Sequence, residues 1–259
     1  YGRDPATITP ESIRAEFNAT HTWIEYINRL SATPVGLATL VFLVAAFLQR
    51  KRHPRVYLAA GISFALVLIN AWLGAKVVLS GLKPGIITLH MALAILLLCV
   101  LVYAAWRAAP EPLQLPVPAW LRTLAWVLFV LVVIEGVLGS QVREMTDHLA
   151  RTHAGEPRSD WVDELEHSWM YLVHRSGSWL ILGLALWFGV AARRQLTGGL
   201  TWLEKGIVGL VLSQMLLGIL LANVGILPTA QVLHIGLSSL LVSGLFLWLL
   251  AAKPTATHA

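Results

Sequence analysis

Seven long runs of hydrophobic positions, separated by short polar stretches, dominate the chain. A helix that crosses the hydrocarbon core of a bilayer needs about 20 apolar residues, and runs of this length are too long for the strands of a membrane barrel. The pattern therefore predicts an all-α integral membrane protein with seven transmembrane helices. The predicted spans are roughly 33–48, 56–79, 85–106, 119–141, 169–192, 203–222 and 228–251.

Composition excludes the other broad classes of protein. The 259 residues are 57% hydrophobic and 13% charged, whereas about 25% of the residues in an ordinary soluble domain are charged. A single cysteine, Cys99, excludes a disulfide scaffold. The net charge of +5 comes from basic residues in short loops between the runs, which is typical of membrane topology rather than of a DNA-binding face. We therefore expect membrane lipid around the protein and no nucleic-acid partner.

The basic loops predict the orientation in the membrane. Alternating the loops puts all of them on one side, which the positive-inside rule makes cytoplasmic. The opposite side receives residues 1–25 and the segment 142–168, which has seven acidic residues against three arginines. We expect a multi-pass protein of the cell's inner (cytoplasmic) membrane with its N-terminal segment outside and its C-terminus cytoplasmic. The basic residues are Arg50, Lys51, Arg52, Arg55, Arg107, Arg122, Arg193, Arg194 and Lys205.

The two halves of the chain repeat one pattern. In each half a Leu-Gly pair is followed ten residues later by a proline and six residues further on by a histidine. The pattern predicts two pseudo-repeated helical bundles built from three-helix units, 33–106 and 169–251. The span 119–141 precedes the second unit and has no counterpart before the first, so we expect eight helices in a complete molecule, with one before Tyr1. The repeated residues are Leu73-Gly74, Pro84 and His90, and then Leu217-Gly218, Pro228 and His234.

We accordingly divide the chain into three parts. Residues 1–141 form an N-terminal half-bundle that begins with an outer segment, 1–30, and includes the span 119–141, which can also belong to the second half. Residues 142–168 form an acidic outer loop. Residues 169–259 form the C-terminal half-bundle.

Three histidines lie near the starts of spans that enter from the outer side, at about the same depth: His90, His174 and His234. Polar groups at such depth are costly and usually face the bundle interior with a partner, and neutral imidazole is the commonest axial ligand of haem iron. The second half therefore predicts a bis-histidine haem site made by His174 and His234. The alternative is that each histidine only hydrogen-bonds a neighbouring helix.

The first half differs, because Asn28 stands where the second half has His174. An amide is a poor iron ligand, so the candidate pair of Asn28 and His90 leaves a haem site open. Glu25 lies one turn before Asn28, and His21 lies one turn before Glu25, so these side chains share a helix face. Glu25 is then either a carboxylate at the mouth of an incompletely ligated haem cavity or the partner of Arg29 in an ion pair. A haem site closed by two histidines fits a bound cofactor, and a haem site that is left open fits a substrate.

Other polar residues in or near the spans have two interpretations. Arg29 and Arg175 each follow a ligand-type position, and Arg143 ends a span near the same face. These arginines can bind haem propionates through bidentate hydrogen bonds or serve as interfacial anchors. Glu135 and Lys76 are expected to hydrogen-bond inside the bundle.

As a set, these motifs resemble those of haem A synthase. The resemblance implies an eight-helix protein of two four-helix halves that oxidises the C8 methyl of haem O, through a hydroxylated intermediate, to the formyl of haem A for assembly of haem-copper oxidases. It implies that His174 and His234 hold a haem b cofactor and that Glu25 is the essential carboxylate. The resembling segments are His21–Leu30, Leu73-Gly74, Leu82–Gly85, His90, Leu138–Glu144, His174–Gly177 and Gln231–Gly236.

The resemblance also implies that position 28 and His90 flank the haem O substrate. The family's common pattern has a histidine where this chain has Asn28, and His21 is the longer alternative on the same face. Haem O synthase and assembly factors of the terminal oxidase are the expected protein partners, and oligomerisation is compatible with the pattern.

Two other functions remain open. A transmembrane b-type cytochrome that only transfers electrons needs the bis-histidine site but has no use for Glu25. A transporter built from repeats predicts interrupted helices and charges at the bilayer midplane, and the depth of the histidines argues against it.

Overall fold

The computed structural model describes residues 9, 17–80, 84–196, 199–225 and 227–255. Within these residues seven helices are long and apolar enough to cross a membrane, which confirms the predicted all-α multi-pass fold. In chain order the elements are α1 (Ala19–Leu48), α2 (Pro54–Leu79), α3 (Pro84–Ala108), β1 (Leu115–Val117), α4 (Ala119–Thr152), a 3-10 helix (Arg158–Asp160), α5 (Val162–Glu166), α6 (Trp169–Gln195), α7 (Trp202–Asn223), α8 (Pro228–Ala251) and β2 (Ala252–Pro254).

Local sequence signals explain where several helices begin. The helices α2, α3 and α8 start at proline, whose fixed φ and missing N–H suit the first helical turn. The helix α7 starts at a capping box, in which the Glu204 carboxylate accepts from the backbone N–H of Thr201 at 2.8 Å. Two helices are longer than the hydrophobic runs, because α1 begins at Ala19 and α4 continues to Thr152.

The acidic segment 142–168 is largely helical rather than the loop expected from its charge. Its first residues continue α4, and the 3-10 helix and α5 follow. Leu149, Trp161 and Leu165 form a small buried cluster in it, against which Tyr171 of α6 packs. These apolar residues give the segment a core of its own, and we call residues 142–168 the acidic cap.

The chain divides into two compact units at Val100 and Leu101, within α3. The sequence left the span 119–141 open to either half, and α4, which contains it, packs against α6 and α8 in the second unit. In the first unit α1 packs against α2, and Ala46, Val56 and Ala60 form a small buried cluster there.

The second unit is a ring of four helices. Close packing joins α4 to α6, α6 to α7, α7 to α8 and α8 back to α4, an arrangement typical of four-helix bundles. Consequently α6 and α8 lie on one diagonal of the ring, and α4 and α7 lie on the other.

One end of this ring has a dense core. We call it the tight end; it contains the starts of α4 and α7 and the ends of α6 and α8. Phe188 and Trp248 meet edge to face with 5.0 Å between ring centroids. The Trp248 indole N–H donates to the fully buried carboxylate of Glu204 at 2.7 Å, so the one buried acid of this core has its partners in place.

Candidate functional site

The opposite end of the ring, which we call the histidine end, is packed differently. None of the residues in 133–145 of α4, 169–180 of α6, 212–223 of α7 and 231–240 of α8 is fully buried. Protein interiors are normally filled to the density of organic crystals. The inner faces of the four helices are therefore less densely covered at this end than at the tight end.

The inner stripes of α6 and α8 contain the two predicted haem ligands. Half-buried residues recur at helical spacing among exposed neighbours, and His174 and His234 are each in such a stripe. Because α6 and α8 lie on one diagonal of the ring, the two histidines belong to helices on opposite sides of it. The half-buried residues of these stripes are Tyr171, His174, Gly177 and Ser178 on α6 and Gln231, His234, Leu237, Ser238 and Ser239 on α8.

His174 lies against α4. A Cβ added at Gly139 would be 3.0 Å from the Cε1 atom of His174, so only glycine leaves room for this ring position. The Nδ1 atom of His174 is 3.0 Å from Oε1 of Glu135, although the angle is not that of a hydrogen bond. The hydroxyl of Ser178 donates to the same Oε1 at 2.8 Å. Glu135 therefore lies inside the bundle, as the sequence analysis expected.

His234 lies near α7. A Cβ at Gly218 would be 3.9 Å from its Cε1 atom, an ordinary contact. Its Nδ1 atom is buried and has no hydrogen-bond partner in the described part of the chain. The side-chain amide of Gln214 donates to the backbone oxygen of His234 at 2.7 Å. One turn earlier, Gln231 accepts from Arg143 at 2.8 Å.

In the first unit, His90 of α3 contacts α2 in the same way. A Cβ at Gly74 would be 3.5 Å from Cε1 of His90. With its amide nitrogen turned toward α3, Asn70 donates to Nδ1 of His90 at 3.2 Å and to the His90 backbone oxygen at 3.0 Å. This histidine is therefore oriented by its neighbouring helix.

These contacts repeat three times, once more than the sequence analysis found. In each, a polar residue and a glycine four positions later on one helix contact a histidine of another helix. The spacing of the polar residue before each Leu-Gly pair was visible in the sequence, but only packing relates it to the histidine. The three sets are Asn70, Gly74 and His90; Glu135, Gly139 and His174; and Gln214, Gly218 and His234.

Apart from His90, the residues predicted for the substrate side lie on an exposed part of α1. Glu25 and Arg29 form the ion pair that was one of the two interpretations, with side chains 55% and 58% exposed. Asn28 is exposed, and no hydrogen bond among the described side chains joins it or Glu25 to His90. The backbone of His21 belongs to α1, whereas its side chain is outside the described part.

The remaining predicted residues differ in position. Arg143 is at the edge of the histidine end, where it pairs with Asp147 at 2.9 Å. Arg175 is exposed, one position beyond the inner stripe. Lys76 is also exposed, with its amine 5.8 Å from the ring centroid of Trp72. The expectation of an interior Lys76 is wrong, because its long side chain reaches outward over an aromatic face.

The donor set of the histidine end suits a macrocycle-bound iron rather than a bare ion. Among the described residues, no group of three or more His, Cys, Asp and Glu side chains could hold a metal ion. Two imidazoles do not complete the coordination of a metal ion, so a metal held by His174 and His234 would need further ligands that come with it, as the iron of haem does.

The fold and the histidine contacts define a multi-pass helical membrane protein whose helices are joined by repeated polar contacts. The chain belongs to the COX15-CtaA family, described as cytochrome oxidase assembly protein, whose model matches residues 5–246. This match covers nearly the whole chain and confirms the family that the motifs indicated. No curated protein matches the chain.

Proposed function

We propose that this protein is a haem A synthase, which oxidises the C8 methyl of haem O through a hydroxylated intermediate to the formyl of haem A. The family's role in cytochrome oxidase assembly supports the proposal. The observation that carries it is the pair of imidazoles on diagonal helices, His174 and His234, at an end of the ring where the inner faces are only half-buried.

In this proposal His174 and His234 would hold a haem b through their imidazole nitrogens. When bound, the group would supply redox chemistry for the oxidation of an unactivated methyl. Gly139 allows the His174 ring to lie close to α4, and the unpartnered Nδ1 of His234 leaves that ring free to turn toward an iron. Arg143, at the edge of the same end, is the candidate partner for a propionate, and exposed Arg175 is the second candidate.

Glu135 positions His174. Metal-bound imidazoles usually donate their second ring N–H to a carboxylate or carbonyl, which selects the tautomer and the ring orientation. The carboxylate of Glu135 is 3.0 Å from Nδ1 of His174 and is itself held by the Ser178 hydroxyl. A small rotation of the carboxylate brings it into line with Nδ1–H, and Nε2 is then the coordinating atom.

The first half is the proposed substrate side. His90, which lies against Gly74 of α2, is the candidate contact for the haem O iron, together with position 28 or His21, provided that its Nδ1 does not keep the hydrogen bond from Asn70. Conversion of a methyl to a formyl group with an oxygen atom from water releases four protons and four electrons, so the reaction needs a base near the substrate and an electron acceptor supplied from outside this chain. Glu25 serves as that base once its carboxylate leaves Arg29, and Arg29 then binds a propionate. The protein lies in the cytoplasmic membrane, where haem O synthase supplies the apolar substrate.

Co-expression with a haem O synthase tests the function. Bound haems are extracted from the purified protein and separated by chromatography with mass detection. We expect haem b together with haem A or a C8-hydroxylated haem. Haem b alone, with haem O demonstrably present in the same membranes, would contradict the proposal.

The ion pair between Glu25 and Arg29 favours a second candidate, a b-type cytochrome that only transfers electrons, because a paired carboxylate needs no catalytic role. Glu25→Ala separates the two functions. In a haem A synthase the variant keeps haem b and stops conversion of haem O, whereas Lys76→Ala, which removes another exposed charged side chain of the first unit, converts normally. In the electron carrier neither substitution changes the extracted haems.

A further inference from the structure

A cavity of about 310 Å³ lies at the tight end of the second unit, far from the histidines. The strands β1 and β2 pair in parallel beside it, and the backbone N–H of Thr255 donates to the Val117 oxygen at 2.9 Å to close the pairing. Aromatic side chains form much of the wall, among them Trp106, Trp126 and Phe246. A cavity bordered by paired strands and helix ends is a built feature of the fold.

Two cations line this cavity without a carboxylate to balance them. Arg122 and Lys253 are both in the lining, which contains no acidic residue. The Nε atom of Arg122 is shielded from solvent and has no hydrogen-bond partner in the described part of the chain. The Lys253 amine is 5.5 Å from the ring centroid of Trp106, a cation–π distance. Because two cations share a lining in which the described residues include no acid, an anion is the ligand that this cavity favours.

The depth of the cavity indicates which anion. Leu249 in its lining is fifteen residues after His234 on α8, which is about 22 Å along a helix. The hydrocarbon core is about 30 Å thick, so the cavity and the histidine end lie near opposite membrane faces. Lipid phosphates are concentrated at the membrane faces. The leucines and aromatic rings in the cavity wall suit the glycerol and the first acyl carbons of a lipid.

We propose that this cavity binds the phosphate of an anionic phospholipid. Arg122 donates to the phosphate from inside the cavity, and Lys253 contacts it at the mouth. Trp126 and Phe246 pack against the apolar part of the lipid. Arg194, another basic residue at this end, is exposed at the end of α6 and is not in the lining of the cavity. It serves as an interfacial anchor of the ordinary kind. This site is independent of any haem.

Lipid titration of the purified full-length chain tests the proposal. Phosphatidylglycerol or phosphatidylcholine is added to the protein in detergent, and bound lipid is counted by native mass spectrometry. We expect one tightly held phosphatidylglycerol and weaker binding of phosphatidylcholine. Loss of one cation weakens the binding of an anionic headgroup by about fivefold, so Arg122→Gln and Lys253→Gln each reduce the retained phosphatidylglycerol, whereas Arg194→Gln does not.

Two controls decide the remaining outcomes. Inorganic phosphate distinguishes the source of the anion, and if millimolar phosphate displaces the lipid or binds equally well alone, the lipid assignment is overturned. Retention of phosphatidylglycerol by Arg122→Gln and Lys253→Gln at the level of Arg194→Gln also overturns it. If Arg122→Gln fails to fold, Lys253→Gln decides the outcome, because that exposed residue contributes little to the core.

Discussion

At the scale of single residues, the three histidines are not equally constrained by the glycines beneath them. The distance from an added Cβ to the histidine Cε1 atom is 3.0 Å at Gly139, 3.5 Å at Gly74 and 3.9 Å at Gly218. The first distance is tighter than ordinary carbon contacts, and the other two are normal. His174 therefore depends on its glycine, whereas His234 does not.

We expect Gly139→Ala to displace the His174 ring and to lower the haem content of the purified protein severalfold. Gly218→Ala is the matched control, because its added methyl makes only an ordinary contact with the equivalent histidine of the repeat. The haem-to-protein ratio from the pyridine haemochrome spectrum measures both variants. Equal haem content in Gly139→Ala and Gly218→Ala would mean that the close approach of the His174 ring to residue 139 is unimportant for haem binding.

Glu135→Gln tests the positioning role of the carboxylate beside His174. A negative charge near an axial imidazole stabilises ferric over ferrous iron, so the neutral amide is expected to raise the midpoint potential of the bound haem. A tenfold change in the ratio of the two oxidation states corresponds to about 59 mV for a one-electron couple, and we expect a shift of this order. Potentiometric titration measures it. An unchanged potential, with haem still bound, would make Glu135 structural only.

At the scale of elements, the hydrophobic runs predicted the positions of most helices but not all of their ends. The boundaries of α7 and α8 were predicted to within a residue, because a capping box and a proline coincide with the ends of the runs. The helices α1 and α4 continue past the apolar residues. Helical hydrogen bonding does not require apolar side chains, so a hydropathy boundary marks the membrane and not the helix.

The acidic cap is another helical segment that the hydrophobic runs did not predict. The contribution of its small apolar core to its stability can be tested. Trp161 is 4% exposed and packs with Leu149 and Leu165, and truncation of a buried tryptophan typically costs about 3–5 kcal/mol. We expect Trp161→Ala to open the cap locally, with faster hydrogen exchange at residues 153–168 and unchanged exchange at the tight end.

Asp163→Asn is the control for this experiment, because it alters an exposed charge in the same segment. If Trp161→Ala and Asp163→Asn exchange alike, the cap owes its structure to something other than its apolar cluster.

At the scale of the whole molecule, the sequence predicted the class of fold because the bilayer limits both the length of a span and the satisfaction of its backbone. The repeat identified His90 and His234 as related residues, and the predicted depth of its span added His174. The polar partners of these histidines, Asn70 and Gln214, could not be predicted from the sequence, because each contact joins different helices and depends on how they pack. The diagonal relation of α6 and α8 likewise comes only from the assembled ring.

The most direct test of the account is the electron paramagnetic resonance spectrum of the purified ferric protein. A haem held by two imidazoles across the ring gives a low-spin bis-histidine signal. We predict this signal in the wild-type protein and in His148→Ala, which alters an exposed histidine of the acidic cap, and its loss in both His174→Ala and His234→Ala. A low-spin bis-histidine signal that persists in either of these two variants would contradict the assignment of the shared haem site.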